Sequence, residues 1–164
     1  MAKIKAVILV IPENFGKHFT YQALIHSDRA VLIGVKNEPE TQEQVDNLKA
    51  LVDNVLDPVR ELIERKVYPH SGFRSEMINK IVGGSINPPS QHMKGEAADV
   101  TFKLNEGETY LSVAEKIRES KIPVDQCIVE KRGQSQWLHL SHKRAGENRG
   151  EFLTYTPEEG YNPF

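Results

Sequence analysis

The sequence predicts an α+β domain. Three observations carry that expectation. Apolar residues recur at helical spacing over one long run, short strand-like runs are bounded by glycine and proline, and the 164 residues contain no repeat, low-complexity stretch or linker. A chain of this length can bury a substantial core as one domain, so residues 1–164 are expected to form a single domain.

Taken in order, residues 4–11 read as a short strand or extended arm, so 1–18 are expected to be an N-terminal arm or strand. Thr20 is placed to cap a short helix from Tyr21 to about Ser27. The clearest element runs from Gln42 to about Lys66. Thr41 and Gln44 form a capping-box pattern, and Val45, Leu48, Leu51, Val52, Val55, Leu56, Val59, Leu62 and Ile63 repeat at helical spacing. Pro58 is expected to kink or split this helix, because it lacks an N–H and its ring crowds the preceding turn. Val67 to Phe73 reads as a strand, and Ser75 can cap a short helix from Glu76 to Val82 that Gly83-Gly84 stops. Ala97–Phe102, Val124–Glu130 and Gln136–Ser141 read as strands, with Thr109–Ser120 an amphipathic helix and Gly133 a turn. The tail over 156–164, with Pro157, Gly160 and Pro163, is expected to be loosely ordered.

The formal net charge is −2, which gives no general attraction to nucleic acid or to an anionic membrane, although Lys143, Arg144 and Arg149 lie close together. Cys127 is the only cysteine, so neither an intramolecular disulfide nor a multi-thiolate zinc site is available. Its apolar neighbours suit an inert core thiol. The apolar stretch near the N-terminus is too short, and is followed by Pro12-Glu13-Asn14, so a first strand is expected rather than a signal peptide.

Chemistry concentrates in two segments. In Ser90-Gln91-His92-Met93-Lys94-Gly95-Glu96-Ala97-Ala98-Asp99, a glycine turn lets a strand bring Asp99 back towards His92. In Trp137-Leu138-His139-Leu140-Ser141 a histidine sits in a second strand-like run. Two imidazoles and a carboxylate suit catalytic zinc, with a fourth position left for water. The same residues also suit structural roles, with His92 capping a turn, Asp99 paired to a basic residue and His139 a satisfied strand histidine.

The whole pattern resembles a known family. Ser71-Gly72-Phe73-Arg74-Ser75, Asn79, Val82-Gly83-Gly84-Ser85, Ser90-Gln91-His92, Gly95-Glu96-Ala97-Ala98-Asp99 and Trp137-Leu138-His139-Leu140-Ser141 occur in the order seen in one family. It is the family of zinc D-Ala-D-Ala carboxypeptidases and phage L-alanyl-D-glutamate endopeptidases. Leu24-Ile25-His26-Ser27-Asp28 and the long helix are similar to its phage-type branch. The resemblance implies Zn²⁺ on His92, Asp99 and His139. It also implies a small antiparallel sheet with flanking helices, the fold shared with the Hedgehog signalling domain.

By the same resemblance Arg74 is a substrate-binding residue, since a guanidinium at a strand end offers a forked donor to a carboxylate or carbonyl. Ser90 and Gln91, beside the metal in sequence, either donate to the substrate or cap the turn. Many relatives place an acid three residues before the final zinc histidine, and here that position is Gln136, which cannot take and release a proton. Glu130 is expected to serve as the catalytic base instead, its alternative being a solvated residue beside Lys131 and Arg132. His142 falls on the opposite strand face from His139 and is not expected to be a ligand. His26 and His70 are expected to lie outside the ligand set, and Trp137 to orient the strand by packing.

The function so implied is hydrolysis of amide bonds in peptidoglycan stem peptides by a zinc peptidase, carboxypeptidase or endopeptidase, in a phage or prophage endolysin. Its alternative is a catalytically silent, zinc-containing cell-wall binding or virion protein. The expected partner is bacterial peptidoglycan, with no nucleic acid and no membrane insertion, and the protein is expected to be a monomer. It would be synthesised in the cytoplasm without a signal peptide and act at the cell wall after release.

Overall fold

The computed structural model describes residues 8–164. Seven α-helical segments are present among these: α1 Tyr21–Ile25, α2 Asp28–Ile33, α3 Gln42–Leu51, α4 Asp57–Ile63, α5 Glu76–Ile81, α6 Gln91–Lys94 and α7 Tyr110–Ser120. Six strands, β1 Val67–Ser71, β2 Ala97–Phe102, β3 Gln126–Arg132, β4 Ser135–Ser141, β5 Glu151–Thr156 and β6 Gly160–Pro163, form one sheet in the order β1-β2-β4-β3-β5-β6. The architecture is the expected α+β arrangement with flanking helices.

Alternation along the strands divides the sheet into two chemically different faces. Ala98 pairs with Leu140 and Val100 with Leu138, and Cys127 and Val129 continue those rows on β3. All six belong to the buried core. Against them pack Val45, Leu48 and Leu51 of α3, then Val52, Val55, Leu56 and Val59, each fully shielded from solvent. The opposite face carries Asp99, His139 and Ile128 in one cross-strand row and Trp137, Glu130, Tyr155 and Tyr161 in the next. One face therefore makes the core and leaves the other for chemistry.

The long helix begins on the expected capping box, with Thr41 Oγ1 accepting from Gln44 N and the Gln44 side chain accepting from Thr41 N. The helical run continues through Pro58 without a gap. Residues Val52–Leu56 form a π-helical turn, and the Asp57 N–H reaches back to Val52 O. The widened turn accommodates the ring and the missing donor of Pro58, so apolar burial continues without interruption into α4. The helix stops at Ile63, where Glu64 takes a left-handed conformation at φ 53°.

Three expectations are corrected. Of the strand expected at 4–11, residues 4–7 lie outside the described residues, and residues 8–11 form no strand. The Gln42 side chain donates to Val10 O at 3.0 Å and accepts from Val10 N at 2.8 Å, satisfying the groups a ladder would have used. The tail expected to be loose at 156–164 is instead a β5–β6 hairpin, with Gly160 at φ 69° supplying the turn. Phe164 packs on Phe152 at 6.1 Å, and its carbonyl accepts from Arg118 Nη1 at 2.7 Å. Finally, the sheet is not wholly antiparallel, because β5 runs parallel to β3. A further helix, α2, follows the expected α1 and is capped by Ser27.

Candidate metal centre

A one-turn helix, a tight turn and two paired strands bring three potential ligands together. Ser90 caps α6, with its Oγ 3.3 Å from His92 N, and so fixes the start of the turn that carries His92. Gln44 Nε2 and Asn47 Nδ2 on α3 donate to Met93 O and Lys94 O, both at 2.9 Å, anchoring that turn on the core helix. Gly95 then reverses the chain at φ 75°, where an added Cβ would lie 2.4 Å from Gln44 O. The strand that follows presents Asp99 directly opposite His139 of β4.

Donor atoms of His92, Asp99 and His139 all lie within 4.8 Å of one another, and all three residues are buried. His92 Nδ1 sits 2.8 Å from Gly72 O, so it donates to that carbonyl and Nε2 keeps its lone pair, 3.4 Å from Asp99 Oδ1. His139 Nδ1 lies 3.0 Å from the same oxygen. The second carboxylate oxygen, Asp99 Oδ2, accepts from Arg74 Nη2 at 2.6 Å, while Arg74 Nε donates to Ser71 Oγ at 2.8 Å. Burial pushes the His92 imidazole below its ordinary pKa and favours the neutral, metal-binding form. Burial opposes ionisation of Asp99, yet the His92 and His139 imidazoles hold its carboxyl well below the usual carboxylate range. Two imidazoles, an ionised carboxylate and a carbonyl that fixes the His92 tautomer make a donor set that fits Zn²⁺.

The centre opens into a cavity of about 520 Å³. Arg74, Ser90, Gln91 and Glu130, the other residues singled out in the sequence, all line it. Glu130 lies on β3 two residues beyond Ile128, which pairs with His139, and faces the cavity beside Trp137. Burial, and then the Asp99 charge, push its carboxyl above the ordinary value. Gln136 pairs with Lys131 and is not among the cavity residues; alternation puts it on the strand face of Leu138 and Leu140. The position from which relatives were expected to supply an acid is thus directed away from this cavity.

Other residues have structural partners. The Gln91 amide donates to Asp125 Oδ2 at 2.9 Å. Asp125 is fully buried and takes Arg149 Nη2 at 2.5 Å and Lys143 Nζ at 3.1 Å, while Arg144 Nε donates to Asn47. The basic cluster near 143–149 is therefore largely committed to internal partners. His142 Nδ1 donates to Pro123 O at 2.7 Å, His26 lies beside Asp28, and His70 stacks edge-on against Trp137. None of these three joins the ligand set. Burial pushes the Cys127 thiol up to about 12, as suits a core position.

Sequence reasoning did not single out Asp125, Arg132, Tyr155 or Tyr161. Arg132, Tyr155 and Tyr161 line the cavity, and Asp125 holds two residues that do, Gln91 and Arg149. Period-two spacing of Ile128, Glu130 and Arg132 was the available signal for Arg132. No local signal marks the tyrosines, because their position depends on long-range strand pairing.

Fold and site together define an α+β domain with a buried His-Asp-His cluster, able to hold a metal ion, on the open face of a mixed sheet. Residues 17–141 match the peptidase M15 family, and the chain belongs to it. Membership supports a zinc metallopeptidase of the class that acts on peptidoglycan peptides. A comparison with curated proteins finds no match.

Proposed function

We propose that this protein is a zinc-dependent lysis enzyme, of phage or prophage context, that hydrolyses an amide bond in the peptide stems of bacterial peptidoglycan. The observation that carries the reading is the buried His92-Asp99-His139 cluster at the base of an open cavity, with Glu130 on the same sheet face. Zinc held there supplies a Lewis acid for the scissile carbonyl and lowers the pKa of water to roughly 7. His92, Asp99 and His139 would hold it.

Glu130 takes a proton from the attacking water and passes it to the leaving amine, a task suited by its raised pKa. Arg74 holds Asp99 in its ligating orientation and lies against the peptide from the cavity wall. Ser90 Oγ accepts from His92 N, which leaves its hydroxyl proton for a substrate carbonyl. One N–H of the Gln91 amide is engaged by Asp125, which leaves the carbonyl oxygen and the second N–H for substrate. Among the described residues no helix is long and apolar enough to cross a membrane.

Mass spectrometry of purified peptidoglycan incubated with the protein, with and without a zinc chelator, tests this reading. New peptide fragments that disappear with chelator and return with zinc are expected, and their masses identify the bond. Absence of fragments from several wall chemistries, with zinc bound to the protein, would instead support the catalytically silent wall-binding protein.

A further inference from the structure

The cavity extends along the sheet away from the metal centre, and its far wall is made partly by residues outside the family-matched span. Tyr155 and Tyr161 pair across β5 and β6, with ring centroids 4.5 Å apart and planes tilted by 36°. The Arg132 guanidinium lies over the Tyr155 ring at 6.0 Å. Both tyrosines follow residue 141, where the family match ends.

Charge makes this end of the cavity distinctive. Three arginines line the cavity. Arg74 is paired with Asp99, and Arg149 with Asp125 and Glu151. Arg132 makes no ion pair and no side-chain hydrogen bond among the described residues. It stands four residues along β3 from Ile128, the register partner of His139. That separation is roughly 13 Å along the strand, a few residues of an extended peptide. A planar guanidinium resting on one aromatic face and open to the cavity keeps its forked donors for a planar anion.

We propose that Arg132, framed by Tyr155 and Tyr161, is a specificity subsite for a free carboxylate of the peptide substrate, a few residues from the scissile bond. The proposal rests on the reading of the protein as a stem-peptide hydrolase. An acid peptide is held by charge-assisted hydrogen bonds that its carboxamide counterpart cannot make, beside the Tyr155 ring on which the guanidinium rests. Arg132 lies within the matched span and the C-terminal hairpin adds the two tyrosines, so the substrate preference of this chain is set partly outside the matched family region.

The test uses one synthetic murein stem peptide with free carboxyl groups and the same peptide with each carboxyl converted to carboxamide. Both are compared for KM and kcat with the zinc-loaded protein, and for Kd by calorimetry with the zinc-free protein. Wild type is expected to favour the acid peptide by about tenfold in KM and Kd. Arg132→Gln should bring that ratio close to one, chiefly through KM and Kd, and Arg132→Lys should retain part of it. A ratio unchanged in Arg132→Gln, or an equal loss on both peptides, overturns the subsite. The two readings fail differently. Cleavage of both peptides without preference removes the subsite and leaves the peptidase; a binding preference that collapses in Arg132→Gln without any cleavage leaves the subsite and removes the peptidase.

Discussion

Arg74 Nη2 lies 2.6 Å from Asp99 Oδ2, and this contact leaves Asp99 Oδ1 facing His139 Nδ1 at 3.0 Å and His92 Nε2 at 3.4 Å. The arginine so divides the carboxylate between orientation and ligation. Partners of this kind, hydrogen-bonded to ligands, commonly tune metal affinity by about 10–100-fold. Arg74→Ala is therefore expected to weaken zinc binding by roughly that factor, measured by competition with a chromophoric chelator. Unchanged affinity would mean that the ion pair does not position Asp99.

Glu130 is predicted to be the proton-transfer group. Glu130→Gln should keep zinc content at the wild-type level and reduce kcat by about 10²–10⁴-fold. Because burial and Asp99 raise its pKa, the base form is lost as pH falls through a value above the ordinary carboxylate range. The acidic limb of the kcat/KM profile should lie correspondingly high in wild type. A variant with full turnover would remove Glu130 from the mechanism.

How much of this was legible beforehand depends on whether the signal is local. Thr41 with Gln44, Thr20 and Ser75 lie within three residues of the backbone groups they cap, so those helix starts are readable from the chain. The His92, Asp99 and His139 set was readable because several motifs occur in order. The contact between Arg74 and Asp99 bridges 25 residues, and the placing of Gln136 depends on which face of β4 it occupies. The β5–β6 hairpin was hidden for a similar reason: Pro157, Gly160 and Pro163 resemble loop punctuation, while the pairing of β5 to β3 is non-local.

Gly72 joins core and site. A Cβ at this position would lie 2.2 Å from Leu24 O, and the Gly72 carbonyl fixes the His92 tautomer. Gly72→Ala is expected to cost about 1–3 kcal/mol of stability by forcing the backbones apart. It should also weaken zinc binding, because the carbonyl that holds His92 Nδ1 moves. Urea unfolding with excess chelator reads the first effect, and chelator competition the second.

Asp125 is buried beneath the cavity, and despite the opposing effect of burial, Arg149, Lys143 and Gln91 hold its carboxyl far below the usual range. A depressed folded-state pKa contributes stability above the unfolded value, near 3.9, that is lost as pH falls below it. Asp125→Asn is expected to destabilise by about 2–4 kcal/mol at neutral pH, and to flatten the acid limb of the stability curve below roughly pH 4. Equal stability of variant and wild type at neutral pH would show that the network contributes little.

The most direct measurement titrates zinc back into fully chelated protein and follows release of new amino groups from peptidoglycan in the same samples. Turnover is predicted to rise from zero and level off at one zinc per chain, with Asp99→Ala showing neither tight binding nor turnover. Full turnover by the zinc-free protein, or one tightly bound zinc with no amine released, would contradict the assignment of His92, Asp99 and His139 as the centre of a zinc peptidase.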